Sequence, residues 1–163
     1  MPIKQLWAPW RLDFITQETK DSGCIFCRVQ KEGNDRENLV LFRAKEVYVI
    51  LNKYPYNNGH MMVVPNKHTN NLSELGPEEL NAIWNYARIA TETLKQACKP
   101  HGFNLGMNLG EAGGAGILEH LHLHIVPRWG GDTNFMPVLA DTKSMPQHLA
   151  ETYDLFFPYF RRL

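Results

Sequence analysis

Hydrophobic positions change their period along the chain, and each change marks an element. Val47-Tyr-Val-Ile-Leu51 is a β-branched, apolar run, which predicts a strand, and the turn-rich stretch from Asn52 to Gly59 predicts the loop after it. Met61-Met-Val-Val64 reads as a second short strand, stopped by Pro65. Leu80, Ile83, Trp84, Ala87, Leu94 and Ala97 recur at helical spacing. Gly76-Pro77-Glu78-Glu79 in front of them suits a helix start, because proline fits the first helical position and acids favour the positive end of the helix dipole. A long helix is predicted from there to about Cys98, ending near Pro100. Phe103 to Asn108 alternates as a strand. Glu111 to Gly116 holds three glycines in six residues and predicts a loop. His120 to Val126 alternates again, and a last helix is predicted from Pro146 to about Phe156. The first 45 residues show no comparable regularity.

Strands outnumber helices, and their spacing is not that of alternating βαβ units. The predicted class is α+β, an antiparallel sheet with one long helix packed on one face and a short C-terminal helix. A length of 163 residues suits one domain. We divide it into an irregular N-terminal segment (1–45), a core (46–130) and a C-terminal extension (131–163). With 44% hydrophobic and 21% charged residues the chain is neither disordered nor fibrous.

Seventeen basic residues cancel seventeen acidic ones. That argues against a strongly basic nucleic-acid binder, but it does not exclude a small anionic ligand held by a local cluster of donors. No run of about 18 apolar residues is present, so no membrane-spanning helix is expected. Met1 to Arg11 has no apolar stretch behind its first charges, which predicts no secretory leader and a cytoplasmic location. Three cysteines are too few and too odd in number for a disulfide framework. Cys24 and Cys27, spaced as C-x-x-C, read as a metal or redox pair. Cys98 falls on the core-facing side of the long helix.

Three of the seven histidines sit in His120-Leu-His122-Leu-His124-Ile-Val126. In a strand, residues two apart share a face, so the three imidazoles line one side while Leu121, Leu123 and Ile125 line the core side. The histidine side then meets water, a metal or a ligand. A single ion shared by all three is awkward, because the end Cα atoms of a straight strand lie roughly 13 Å apart at about 3.3 Å per residue. Nucleophilic catalysis by the central imidazole is the other reading. Histidine is neutral near pH 7 and forms covalent phosphoryl or nucleotidyl intermediates.

These residues resemble the signature of the histidine triad superfamily of nucleotide hydrolases and transferases. The resemblance extends to Asn57-Asn-Gly-His60-Met-Met-Val-Val-Pro65-Asn-Lys-His68, to Leu72–Glu79, to Asn108-Leu-Gly110 with its glycine-rich loop, and to His124-Ile-Val-Pro127-Arg128. Trp7-Ala-Pro-Trp10-Arg11, Leu51-Asn-Lys-Tyr-Pro-Tyr-Asn57, Pro100-His-Gly-Phe-Asn104 and Arg128-Trp-Gly-Gly-Asp132-Thr-Asn-Phe135 resemble the branch of diadenosine tetraphosphate phosphorylases, with dinucleoside polyphosphate hydrolases as a neighbouring branch.

The resemblance implies cleavage of a dinucleoside polyphosphate, or another purine nucleotide, at an α-phosphate. His122 would be the nucleophile and His124 a donor to phosphate oxygens. His60 would be a polar partner of the triad, Asn52 a ribose contact, and Asn108 a residue near the phosphates. It further implies a structural zinc on Cys24, Cys27, His68 and His120, and a homodimer. A nucleoside phosphoramidate hydrolase and a nucleotide-binding regulatory protein are the alternatives. Trp7, Trp10 and Trp129 are candidates for stacking on a purine. One departure stands out: the Gly-Gln-Ser or Gly-Gln-Thr segment common before the triad is Ala115-Gly116-Ile117 here, without the glutamine or the hydroxyl.

Overall fold

A computed structural model describes residues 23–133 and 145–163. Trp7 and Trp10 lie outside these residues. Among the described residues, helix α1 (Ile25–Glu32) leads into strands β1 (Val40–Arg43), β2 (Val47–Leu51) and β3 (Met61–Pro65). A single 3-10 turn (Leu72–Glu74) precedes the long helix α2 (Pro77–Cys98). Strands β4 (Gly102–Gly106) and β5 (Leu123–Arg128) and helix α3 (Leu149–Phe160) follow. The five strands form one antiparallel sheet in the order β1-β2-β3-β5-β4. The α+β class is as expected, and α2 keeps its expected bounds, with Pro77 at the first position and the Glu79 carboxylate accepting the Gly76 N–H at 2.6 Å.

Every residue of β2 and of β3 is buried, rather than every other one. The reason is that both faces of the sheet are covered. Val47, Val49, Leu51, Met61, Val63, Leu123 and Ile125 pack against Ile83, Ala87 and Leu94 of α2 and Phe156 and Phe160 of α3. The alternate residues Tyr48, Ile50, Met62 and Val64 pack against Phe26 and Val29 of α1. The long helix α2 packs on one face, as expected, and α1 covers the other. The N-terminal segment is not irregular throughout, because its residues 25–43 hold α1 and β1. The eight-residue α1 carries a thin apolar stripe, and its burial comes from the sheet.

Three other boundaries move. Strand β4 ends at Gly106 because its ladder with β5 runs only from Gly102↔Arg128 to Gly106↔His124. Helix α3 starts after His148, whose carbonyl accepts the Thr152 N–H, rather than at Pro146. Strand β5 starts at Leu123, so His120 and His122 precede it. The β3–β5 ladder stops at Val63↔Leu123. Beyond it the Pro65 carbonyl accepts from the His120 imidazole at 2.8 Å, and the Leu121 N–H turns to the Thr69 carbonyl. Among the described residues, no helix is long and apolar enough to cross a membrane.

Candidate active site and metal centre

His124 pairs with Met62 across the β3–β5 ladder, which puts it on the face of the sheet that α1 covers. His120, His122 and His124 are 1%, 5% and 8% exposed, so none is a solvated surface histidine. Leu121, Leu123 and Ile125 enter the core beneath α2, as the alternation predicts. The three imidazoles part company in what they touch.

His120 turns towards the cysteines. Its Nε2–H donates to the Pro65 carbonyl, which leaves the Nδ1 lone pair 3.3 Å from Cys24 Sγ and 3.6 Å from Cys27 Sγ. His68 Nδ1 lies 3.3 Å from Cys27 Sγ and 3.4 Å from His120 Nδ1. The four ligand atoms all lie within 4.8 Å of one another. A tetrahedron with Zn–S of about 2.3 Å and Zn–N of about 2.0–2.1 Å has edges of roughly 3.3–3.8 Å, so this Cys2His2 set fits a metal ion of that kind. Burial pushes the Cys24 thiol up to about 11. A bound cation reverses that preference, because a coordinating thiol is deprotonated.

His122 points the other way. Its Nδ1–H donates to the His120 carbonyl at 2.9 Å, and the unprotonated Nε2 carries the lone pair. Burial moves its pKa below the ordinary value, against the effect of that hydrogen bond, so the neutral imidazole persists into mildly acidic solution. The His124 ring lies 4.7 Å from it, edge to face, and His124 Nδ1 lies 2.9 Å from His60 Nε2.

His122 and His124 open on a cleft of about 190 Å³. Ile25, Phe26 and Val29 of α1 and Ile50 and Met62 of the sheet give it apolar walls, while Arg28, Asn52, Lys53, Tyr54 and Tyr56 supply polar groups. Gly116 and Ile117 of the glycine-rich loop line it too, so that loop reaches the site without the missing glutamine and hydroxyl. Gly113 keeps the loop tight, since a Cβ there would meet the Leu109 carbonyl oxygen at 2.4 Å.

The remaining candidates divide. Asn52 lines the cleft, caps the Tyr54 N–H through Oδ1 at 2.9 Å, and reaches His60 Nδ1 with its amide at 3.4 Å. Asn108 instead donates to the Gly114 carbonyl at 3.2 Å, bracing the glycine-rich loop, and is not among the residues lining the cleft. Trp129 donates its indole N–H to the Cys98 carbonyl at the end of α2 and does not line the cleft. Cys98 packs against the core, donates to the Leu94 carbonyl, and is pushed up to about 11 by burial. The α1 residues in the cleft escaped sequence reasoning. Their signal was the three-residue spacing of Phe26 and Val29 just behind the cysteine pair.

A family model described as the HIT domain matches residues 34–131, more than half of the chain. The chain belongs to the HIT family. This HIT protein is 38% identical over 157 residues to a protein of Mycobacterium tuberculosis named AP-4-A phosphorylase, covering 92% of this chain and 80% of that one. A crystal structure of a hypothetical histidine triad nucleotide-binding protein from Sulfolobus tokodaii superposes with a TM-score of 0.65 at 30% identity, over 85% of this chain and 90% of that one. A Zn-bound histidine triad family protein from Mycobacterium smegmatis superposes with a TM-score of 0.68, over 86% of this chain and 94% of that one. At 23% identity the last likeness speaks for the HIT fold alone.

Proposed function

We propose that this HIT protein is a nucleotidyl transferase that cleaves dinucleoside polyphosphates such as diadenosine tetraphosphate, with inorganic phosphate as the acceptor. The observation that carries this is the His122 tautomer: with Nδ1–H engaged by the His120 carbonyl, the nucleophilic lone pair sits on Nε2 of a residue that lines the cleft. In the first step Nε2 attacks the α-phosphorus. The P–N bond forms, the P–O bond to the bridging oxygen breaks, and the nucleoside polyphosphate leaves with the electron pair. The His120 carbonyl stabilises the positive charge left on the ring. In the second step a phosphate oxygen attacks, the P–N bond breaks, and the lone pair returns to Nε2.

The other residues bind and orient. His124 donates to oxygens at the α-phosphate, with His60 behind it. Asn52 is placed for the ribose, the apolar walls take the base, and backbone N–H groups of the glycine-rich loop cradle phosphate. Asn108 acts through the shape of that loop. The 38% identity to a protein named AP-4-A phosphorylase favours phosphate over water as acceptor. Cys24, Cys27, His68 and His120 would hold a structural zinc, which ties α1 and the residues before β5 together and supplies no group to the substrate. A homodimer, implied by the family resemblance, and the cytoplasmic location expected from the sequence belong to the same proposal.

Product analysis with diadenosine tetraphosphate tests the acceptor. ADP and ATP forming only when phosphate is present is the expected result. AMP and ATP forming in water alone would make the protein a hydrolase instead.

A further inference from the structure

Parts of three segments, Leu51–Asn57, Pro100–Asn104 and Arg128–Asp132, converge on one polar cluster where β4 begins and β5 ends. The Asp132 carboxylate accepts from Arg128 Nε at 2.7 Å and Nη2 at 3.0 Å, from the Asn57 amide at 2.8 Å and from the Trp129 N–H at 3.1 Å. The third arm of Arg128 crosses to Asn104 Oδ1 on β4 at 2.8 Å. The hydrogen bonds from Arg128 hold the Asp132 carboxyl well below the usual carboxylate range, so it is an acceptor throughout the working pH range.

Asn57 joins this cluster to the histidines. It is 6% exposed, and its amide also donates to the Pro127 carbonyl at 2.9 Å. Both partners accept, which fixes the orientation of the side chain. Its main-chain carbonyl accepts the His60 N–H at 3.2 Å. One residue earlier, the Tyr56 N–H points at His60 Nδ1 at 3.0 Å. A backbone N–H can only donate, so His60 Nδ1 is the unprotonated nitrogen. The proton of neutral His60 is then on Nε2, facing His124 Nδ1 at 2.9 Å. His124 Nδ1 must accept, and its proton is on Nε2. The opposite order would give His124 a lone pair where the leaving oxygen gathers charge.

We propose that Asn57 and Asp132 are positioning residues: they hold the Tyr56–Asn57 backbone so that His60 and His124 keep one proton order, with His124 presenting Nε2–H to the bridging oxygen as the anhydride breaks. No proton needs to cross. The hydrogen bond stabilises the developing charge, as a preorganised donor does. This deepens the nucleotidyl-transfer reading of the same site and rests on it for its kinetic part alone.

The test is nitrogen-15 NMR of the histidine side chains, joined to kinetics. In the wild-type protein His124 is expected to show an unprotonated Nδ1 and a protonated Nε2, and the reverse assignment would overturn the proposal without any variant. In Asp132→Asn, where an amide replaces an acceptor that faces five donors, the Thr133 hydroxyl at 3.4 Å among them, His60 and His124 are expected to populate both orders. Turnover of diadenosine tetraphosphate should then fall on the order of 10-fold in kcat with KM little changed. The loss should be smaller with the p-nitrophenyl ester of AMP, whose leaving charge spreads into the ring. An unchanged proton order in Asp132→Asn, or equal losses with both substrates, would reduce Asp132 to a purely structural residue and overturn the proposal. Failure of the wild-type protein to turn over either substrate would instead sink the proposed function, while the spectrum still decides the proton order.

Discussion

The ring of Phe26 packs against the imidazole of His122 with 5.1 Å between centroids. The same ring meets His120 edge-on at 5.4 Å, and Phe26 sits between Cys24 and Cys27. One short helix and the Cys24 that caps it therefore carry two metal-ligand candidates, a wall of the cleft and a neighbour of the proposed nucleophile.

Metal and nucleotide binding should accordingly be linked. Protein purified without added zinc is expected to hold about one ion per chain. Removing it with a chelator, or making Cys27→Ser, should weaken AMP binding measured by calorimetry on the order of 10-fold, with AMP tightening metal binding by the same factor. AMP affinity that ignores the metal would separate the two sites.

The buried His122 predicts a pH dependence. Burial lowers its folded pKa below the ordinary value of about 6.5, so turnover should stay level as pH falls to about 6.5 and decline only below it. Stability moves in the same direction. Below about pH 6.5 the unfolded chain takes up the proton before the folded one does, so stability is present above that value and is lost as pH falls through the folded pKa. Urea midpoints at pH 7.5 and 5.5 check this, and His122→Gln should shrink the difference. An acid limb centred above 6.5 would contradict the burial argument.

Gly59 precedes His60 with φ +75, and a Cβ there would lie 3.0 Å from Leu94 Cδ2 and 3.2 Å from Phe156 Cζ. Gly59→Ala should cost about 2–3 kcal/mol, from left-handed backbone strain and overpacking combined. For a chain of this size that lowers the melting temperature by roughly 4–10 °C. A melting curve that does not move would show that the loop relaxes freely.

Periodicity made some of this visible in advance. Val47–Leu51 and Pro77–Cys98 were legible because each carries an unbroken strand or helix pattern and a clear stop. Helix α1 was hidden because two of its eight positions with burial, Phe26 and Val29, leave no long stripe to count. The start of β5 was misplaced because alternation continues through His120 and His122, while the ladder that would make them strand ends at Val63↔Leu123. Neither His120's turn towards the cysteines nor the Asn57–Asp132 link has a local pattern. Both depend on residues far apart in sequence meeting around the sheet, and only the family resemblance anticipated the first.

Intact-mass analysis of the protein mixed with diadenosine tetraphosphate in phosphate-free buffer tests the central claim most directly. A gain of one adenylyl group is expected, mapped to His122, discharged as ADP when phosphate is added, and absent from His122→Ala although that variant still binds AMP. Turnover that persists in His122→Ala, or an adduct on any other residue, would contradict the account.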